Sequence, residues 1–471
     1  QIGFHQHFLF QILTLTTSLH SYRHKQTHLP LMNSPPAKSR NLNGAPTALP
    51  VLLDELISEI LSLLPVKTLM QMKCVCKLWK TIIFDPAFAK LHLQRSPRST
   101  HLLLIQNWSN PNEGLDCSVE PYPVTNLLEI PLRIGRFSPF YTYRDIDAIP
   151  VDPHYRLKNL SCWQIVGSCN GLLCLLGGSC ATKNHTTWLR LWNPATNTLS
   201  EKLAYLTNFC CRFAFGYDIS TDSYKAVAFS ANKVKVFRFG DNVWRNIECL
   251  PVVPFALEAT RLNCHPFVYN GVYVSGAINW LAIRNKINYE WKDITVDQFV
   301  IVSLDLGTET YRELLPPQGF VEVPPVQPSV TVLMDRLCFS HRTKGTHFVL
   351  WTMMEFGVQE SWTQFLKISF QNLRIDHGIS DSLPYGSQLF LLPLSSCERS
   401  NTLIIATNQE GDVFSNQRAI LFNWKHNRVE QVTSFYNDIL WFFTKEYVES
   451  LVSTCPKTTT STSNTYGVID G

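Results

Sequence analysis

Residues 53–93 carry apolar side chains at helical spacing. Steps of three and four residues place one set on a single helix face: Leu53, Leu56, Ile57, Ile60, Leu61 and Leu64. Asp54 and Glu55 fall in the first turn, where the helix dipole favours acids, and Pro65 ends the helix. We predict a second short helix over 66–73 and a third over 75–84, closed by Asp85-Pro86.

Three helices this short cannot bury all the apolar side chains they carry. The apolar residues of this segment include Leu52, Leu56, Ile60, Leu64, Val66, Leu69, Val75, Leu78 and Trp79. Because a core of about forty residues is too small for this set, we expect part of the apolar surface to meet a partner.

From about residue 100 the helical spacing gives way to short strands. Five segments share one design, an apolar strand, a polar turn and a second strand: 189–203, 234–250, 301–315, 348–368 and 419–432. Further strand pairs precede most of them, as at 213–229 and 270–283. A unit of four strands that recurs in this way predicts a β-propeller of at least five blades rather than a single β-sandwich.

The composition is that of a globular chain. Of 471 residues, 45% are hydrophobic and 17% charged, and the net charge is +4. A balance so close to neutral predicts neither nucleic acid nor a membrane surface as the main partner. The apolar stretch at 8–15 is too short to span a bilayer, and we expect no transmembrane helix in the rest of the chain.

The cysteines and histidines predict no metal site and no cofactor. The fourteen cysteines include no C-x-x-C pair, and several lie inside apolar runs, as Cys174 and Cys338 do. We therefore expect reduced, buried thiols in a cytoplasmic or nuclear protein. His341 and His347 flank a basic turn that could hold a metal or phosphate, but a solvated hairpin tip is the preferred interpretation.

No enzyme signature is found in the sequence. It contains no P-loop, no G-x-S-x-G, no H-E-x-x-H and no G-x-G-x-x-G after a strand. A propeller enzyme or sugar-binding module, with the helices as a structural cap, is an alternative. It requires acids or histidines converging on one propeller face, and the sequence offers none.

The two ends of the chain are expected to lie outside the folded domains. Residues 1–48 predict a disordered leader, with translation starting at Met32, and residues 453–471 a disordered tail. Residues 1–53 contain no acid, so a transit peptide is the alternative for the leader.

Residues 49–93 resemble the F-box, especially its plant form. The matching pieces are DELISEIL (54–61), LPVKTL (64–69), CVCKLW (74–79) and DPAFAKLHL (85–93). The rest resembles the plant F-box-associated domain through GSCNGLLCL (167–175), LWNPATNT (191–198), FGYDISTDSYKAV (215–227), GAINWLA (276–282), SLDLGTETY (303–311), EFGVQESWT (355–363) and YVESLV (447–452). We therefore expect an α+β multidomain fold, with a three-helix F-box at 49–93 and an all-β, kelch-type propeller at 100–452.

The resemblance implies a non-catalytic substrate receptor of an SCF-type (Skp-cullin-F-box) ubiquitin ligase. The F-box would bind a Skp-type adaptor and, through it, a cullin, while the β-domain binds an unidentified target protein. The adaptor contacts we expect are Leu52, Leu56, Ile57, Ile60, Leu64, Pro65, Val66, Leu69, Val75 and Trp79. The same residues could instead be an ordinary helical core. Leu53 stands where the family usually has proline, which should weaken helix initiation modestly. An F-box scaffold acting outside the ligase is a further alternative.

Structural roles are expected for the remaining recurrent residues. Asn170-Gly171 predicts a tight hairpin turn. Blade packing is expected for five tryptophans: Trp192, Trp244, Trp280, Trp362 and Trp424. For target recognition, the candidates are long insertions at 251–265, 316–328 and 394–416.

Overall fold

The chain divides into two compact units, Gln1–Arg95 and Ser96–Gly471. The computed structural model describes residues 54–96, 101–110, 114–129, 162–181, 184–209, 211–252, 254–255, 271–284, 291–343, 346–375, 389–408, 417–433 and 439–455. The predicted leader, Leu52, Leu53 and most of the predicted tail therefore lie outside the described residues. No helix within these ranges is long and apolar enough to cross a bilayer.

The described part of the first unit is formed by four helices. They are α1 (Asp54–Leu61), α2 (Val66–Met72), α3 (Lys77–Ile83) and α4 (Pro86–Arg95). The first three were predicted, and the third ends before Asp85-Pro86 as expected. The expectation of a three-helix unit is wrong, because a fourth helix begins at Pro86. Asp85 Oδ1 accepts a hydrogen bond from Ala87 N at 2.9 Å. Asp85 is thus an N-terminal cap, and Pro86 occupies the first helical position, where proline is well tolerated.

Helix α4 is tied to α1 and the turn that follows it. Arg95 makes an ion pair with Glu59 at 2.7 Å and donates a hydrogen bond to Ser62 Oγ. A ring nitrogen of His92 lies 2.8 Å from the carbonyl oxygen of Leu64. The hydrogen bond from Arg95 lowers the pKa of Glu59. These polar links and the burial of Phe88 and Leu93 hold the fourth helix in the unit.

The second unit consists almost entirely of antiparallel strands. Its one α-helix in the described ranges is α5 (Val124–Glu129). The first strands are β1 (His101–Asn110), β2 (Gly114–Pro123), β3 (Cys162–Cys169), β4 (Leu172–Ala181), β5 (Asn184–Asn193), β6 (Thr198–Leu199), β7 (Leu203–Thr207), β8 (Arg212–Asp218), β9 (Ser223–Ser230), β10 (Lys233–Arg238), β11 (Val243–Ile247), β12 (Val272–Val274) and β13 (Ala277–Ile283). The others are β14 (Phe299–Asp305), β15 (Tyr311–Leu314), β16 (Ser329–Leu333), β17 (Arg336–Arg342), β18 (His347–Met353), β19 (Trp362–Ser369), β20 (Leu391–Cys397), β21 (Thr402–Thr407), β22 (Arg418–Asn423), β23 (Arg428–Val432) and β24 (Lys445–Tyr447).

The strands form six sheets, which we number as blades I to VI. Blades III, IV, V and VI each contain four strands consecutive in the chain: β8 to β11, β12 to β15, β16 to β19 and β20 to β23. Blade II contains β3 to β6, with β7 paired to β5. Blade I joins β1 and β2 to β24 from the far end of the chain.

Six apolar clusters connect the six blades into a ring. Each cluster lies between two neighbouring blades, from I–II around to VI–I. On β1, Leu103 packs with blade II while Leu102 packs with blade VI, because successive side chains point to opposite faces of a strand. Each blade is thus apolar on both faces. A cyclic series of sheets packed in this way is a six-bladed β-propeller, in agreement with the predicted minimum of five.

The repeats seen in the sequence correspond to the outer halves of the blades. The five segments that share one design contain the third and fourth strands of blades II to VI, and 213–229 and 270–283 contain the first two strands of blades III and IV. Blade I was not detected because its strands come from distant parts of the chain. The five tryptophans do not occupy one repeated position, although Trp192 and Trp280 are buried between blades as expected.

The predicted recognition insertions are corrected in part. Residues 394–416 are not a long loop, because β20 ends and β21 runs within them. Pro393 lies at a β-bulge in β20. Because proline is rare inside strands, this segment resembles a loop in sequence. The segment 316–328 is a real connection between blades, but Phe320 and Val326 are buried in it. Most of 251–265 lies outside the described residues.

Two family motifs meet at the joint between blades III and IV. Lys225 of FGYDISTDSYKAV is buried and donates to Leu306 O at 2.5 Å and to Glu309 Oε1 at 2.9 Å, in SLDLGTETY. Its ammonium also pairs with Asp218 at 3.0 Å. Burial alone would raise the pKa of Asp218, but hydrogen bonds from Thr221, Ser220 and Lys225 hold that pKa well below its usual range. The two motifs therefore form a buried ionic joint.

Three other motifs meet where the ring closes between blades I and II. Asn193 Nδ2, in LWNPATNT, donates to Ser450 O at 3.0 Å and to Val452 O at 2.8 Å, in YVESLV. Gly171 adopts a φ of +79° in the predicted Asn170-Gly171 turn, and a Cβ there would collide with Ser450. The closure thus depends on neutral hydrogen bonds and on close approach to a glycine.

Candidate functional site

Helix α1 has two apolar stripes, and only one of them is covered. Ile57 and Leu61 are buried, four residues apart on one face. Leu56, Ile60 and Leu63 follow the same spacing on the adjacent face, and hydrogen bonds from Ser62 N and Leu63 N continue the helical geometry past Leu61. Leu56 is 51% exposed and Leu63 is 73% exposed, while Ile60 is half-buried. We call these three residues the open stripe.

The predicted adaptor contacts fall into three groups. Four of them are buried: Ile57, Val66, Leu69 and Trp79. Ile60, Leu64 and Val75 are half-buried, and Leu56 and Pro65 are exposed. Leu52 lies outside the described residues. Their part in adaptor binding stays a prediction, but the burial places the exposed and half-buried members where a partner could reach them most easily.

Leu63 and Phe84 were missing from the predicted contacts. Phe84 is 59% exposed at the C-terminal end of α3, with the Lys73 ammonium 5.8 Å from its ring centre. The helical pattern marks both residues as apolar, but spacing alone cannot say which of two adjacent stripes the fold covers. An exposed phenylalanine and an exposed leucine in so small a unit enlarge its apolar surface.

The innermost strands of the propeller surround a central channel of about 440 Å³. Blades II, IV, V, VI and I contribute β3, β12, β16, β20 and β24 to its wall, and Phe215 of β8 lines it from blade III. The polar residues that line the channel include Thr331 on β16, Thr444 immediately before β24 and Lys445 at the start of β24. Burial lowers the pKa of the Lys445 ammonium.

The histidines and cysteines considered as candidate ligands have structural positions in the propeller. His341 is buried at the end of β17 and accepts a hydrogen bond from Trp351 Nε1 at 3.3 Å, while His347 begins β18, so the pair flanks a hairpin as preferred. Cys174 and Cys338 are buried and form no disulfide. In the described ranges, no group of three or more His, Cys, Asp or Glu is placed to hold a metal ion.

Comparison with known proteins identifies relatives of both units. Residues 148–454 match the F-box associated beta propeller domain, and residues 49–91 match the F-box domain. F-box/kelch-repeat protein At3g23880 of Arabidopsis thaliana is 25% identical over 330 residues, which cover 67% of this chain and 78% of that protein. Probable F-box protein At5g47300 of the same plant is 21% identical and covers 84% of this chain and 85% of its own length.

Likeness to solved structures is weak. The β-propeller domain of the trilobed protease from Pyrococcus furiosus is similar over 72% of this chain and 92% of its own, with a TM-score of 0.33 and 8% identity. A score at this level supports no argument. The family match over more than half of the chain does. This protein therefore belongs to the F-box associated beta propeller family and carries an F-box domain in its helical unit.

Proposed function

We propose that this protein is the substrate-recognition subunit of an SCF-type ubiquitin ligase. Its F-box binds a Skp-type adaptor, the adaptor joins it to a cullin, and the propeller holds a target protein for ubiquitination and proteasomal degradation. The open stripe on α1 is the observation that carries the proposal, because an uncovered apolar helix face beside a covered one is what a docking helix presents.

The chain itself performs no chemistry in this proposal. Members of the F-box and propeller family are typically adaptors, and their contribution is to hold a target close to the ubiquitin-transferring subunits. We place the protein in the cytoplasm or nucleus, where free thiols such as those of Cys174 and Cys338 persist. The blades are proposed to be of kelch type, as the names of several relatives suggest.

Co-purification with the adaptor tests the docking end. The double variant Leu56→Asp, Leu63→Asp puts charge on the open stripe without touching a buried side chain, so it should fold and fail to capture a Skp-type adaptor. Val321→Asp is the matched control, because Val321 is 78% exposed in the propeller. Undiminished adaptor capture by the double variant would overturn the assignment of the surface.

The same pull-down separates the ligase from a scaffold role. Probing the wild-type complex for cullin as well as adaptor should detect both if the protein acts in a ligase. Adaptor without cullin would favour the scaffold alternative. Candidate targets are proteins bound to the wild-type chain whose amount rises under proteasome inhibition. The same proteins should show no such rise with the double variant, because that variant no longer directs their degradation.

A further inference from the structure

The central channel has the dimensions of a ligand site. Its volume of about 440 Å³ lies in the range of roughly 300–1,000 Å³ that is usual for binding pockets. Strand ends and turns also reach it, including Asn170 of the β3–β4 turn and Asp335 of the β16–β17 turn. The channel can admit one or two amino-acid residues of an extended peptide.

Lys445 is a cation without a counter-ion on this wall. It lines the channel from β24, and no carboxylate in the described part of the chain makes an ion pair with it. Glu446 and Asp335 also line the channel but have interactions of their own. Burial lowers the pKa of Lys445, with no acid acting against that effect. A half-buried ammonium without a counter-ion is stabilised by an anion that binds in the channel.

Two hydroxyl groups beside the channel lack hydrogen-bond partners. Thr444 is 3% exposed and Thr331 is 9% exposed, and the side-chain oxygen of each is buried with no partner in the structure. Both residues line the channel, Thr331 from β16 and Thr444 next to Lys445. Since buried polar atoms are normally satisfied, two unpartnered hydroxyls that reach the channel from different blades indicate a site able to donate to a ligand.

The charge balance of the wall selects the class of anion. One lysine faces the channel together with the acids Glu446 and Asp335. Both acids oppose any anion, but they repel a phosphate, with close to two negative charges, about twice as strongly as a carboxylate, and a single lysine cannot neutralise it. A carboxylate carries one charge and accepts up to four hydrogen bonds, which matches one ammonium and two hydroxyls.

We infer that the channel binds a carboxylate of the target protein, with Lys445 as its anchor and Thr331 and Thr444 as hydrogen-bond donors. The inference rests on the proposed function, because it names the group that the substrate receptor takes from its target. The carboxylate comes either from the C-terminus of a chain or from an Asp or Glu side chain in an extended segment.

Peptide libraries on the immobilised full-length chain test this inference. Four randomised hexapeptide pools are compared: a free C-terminus without other acids, an amidated C-terminus with one central Asp or Glu, an amidated neutral pool, and an amidated pool with phosphoserine. We expect enrichment of the first or second pool, and whichever is enriched identifies the source of the carboxylate.

Variants connect the binding to the channel wall. Lys445→Met should weaken binding of the enriched pool about tenfold or more, because it removes a charge-assisted hydrogen bond. Thr331→Val keeps the shape of the side chain and should weaken binding about three- to tenfold. Lys367→Met, on the exposed outer strand β19, is the matched control and should leave binding unchanged.

The results that would overturn this inference can be distinguished from those that would overturn the proposed function. Equal capture of the neutral pool, preference for phosphoserine, absence of binding in every pool, or full binding by the folded Lys445→Met and Thr331→Val variants would each overturn the inference. Adaptor capture, measured on the same preparations, depends on the helical unit. It should persist in all three variants whatever the peptides do.

Discussion

The helical unit and the propeller differ in how large a share of their apolar side chains is covered. Within a few helices, the helical unit leaves Leu56, Leu63 and Phe84 more than half exposed. The propeller places its apolar side chains on both faces of every blade, where each neighbouring blade covers them. The propeller also exposes apolar side chains, such as Val321 and Ile219, but these are few for its size, whereas the exposed residues of the helical unit are a large share of a short segment.

The polar groups show the same difference. In the propeller, family motifs that lie far apart in sequence come together as joints between blades, such as Lys225 with Glu309 and Asn193 with Ser450. In this chain these motifs thus have structural roles. Mutations in the joints should affect stability without affecting adaptor binding, and mutations on the helical surface should do the reverse.

The largest effect is expected at the ionic joint. Lys225→Met leaves the buried Asp218 without its cation and Glu309 with only the exposed Arg245, so the free energy of unfolding should fall by about 3–5 kcal/mol. Chemical denaturation measures it. Arg245→Met is the control, because exposed Arg245 contacts the same Glu309 at 3.3 Å and should cost about 0–1 kcal/mol. Equal losses in the two variants would show that burial does not decide the strength of the joint.

Acid should destabilise the propeller through His341. Burial lowers the pKa of His341 to about 4, below the value near 6.5 of an exposed histidine, so the unfolded chain takes up the proton first. The stabilising effect of keeping His341 neutral is full above pH 6.5 and falls as the pH drops toward 4. At pH 5 the loss should be about 2 kcal/mol.

Denaturation at pH 7.5 and pH 5.0 tests this dependence on His341. His341→Gln can still accept the hydrogen bond from Trp351 Nε1 and cannot titrate, so its stability should change less between the two pH values. A parallel decline in wild type and variant would assign the acid sensitivity to other groups.

A smaller loss is expected at the closure of the ring. Asn193→Ala removes two hydrogen bonds to the backbone of the C-terminal segment and should lower the free energy of unfolding by about 1–2 kcal/mol. Thr198→Val is the control, since its hydroxyl makes only an exposed contact with Thr196 and its loss should cost under about 0.5 kcal/mol. No loss in Asn193→Ala would mean that these two hydrogen bonds do not stabilise the closure.

The smallest effect on stability is expected at Phe84. Phe84→Ala removes an exposed ring, so the free energy of unfolding should change by less than about 0.5 kcal/mol. Adaptor affinity, measured by titration calorimetry, should fall about tenfold if Phe84 extends the docking surface. Unchanged affinity would limit that surface to the open stripe.

Sequence patterns predicted most of the propeller and the first three helices. Alternating strands and polar turns are local features, so blades II to VI could be recognised one at a time. Blade I could not, because β24 lies more than three hundred residues from β1. Strand β20 was hidden by Pro393, which lies at a bulge.

The docking surface was predicted less well than the fold. Apolar spacing identified Ile57 and Leu56 equally, and only the packing of the helices buries one and exposes the other. The start of α4 was missed because Asp85-Pro86 reads both as a helix end and as a cap followed by a favoured first residue. The channel site was missed because Lys445 and Thr331 meet only through the ring.

The sharing of blade I between β1 and β24 has a consequence during synthesis. A ribosome adds about 5–20 residues per second, so β1 must wait about 17–70 seconds before residues 445–447 can emerge and pair with it. Throughout this time the unpaired edge is open to other strands. Nascent chains of this protein should therefore depend on chaperones more than finished ones, and a stop codon shortly before Lys445 should leave a ring that cannot close.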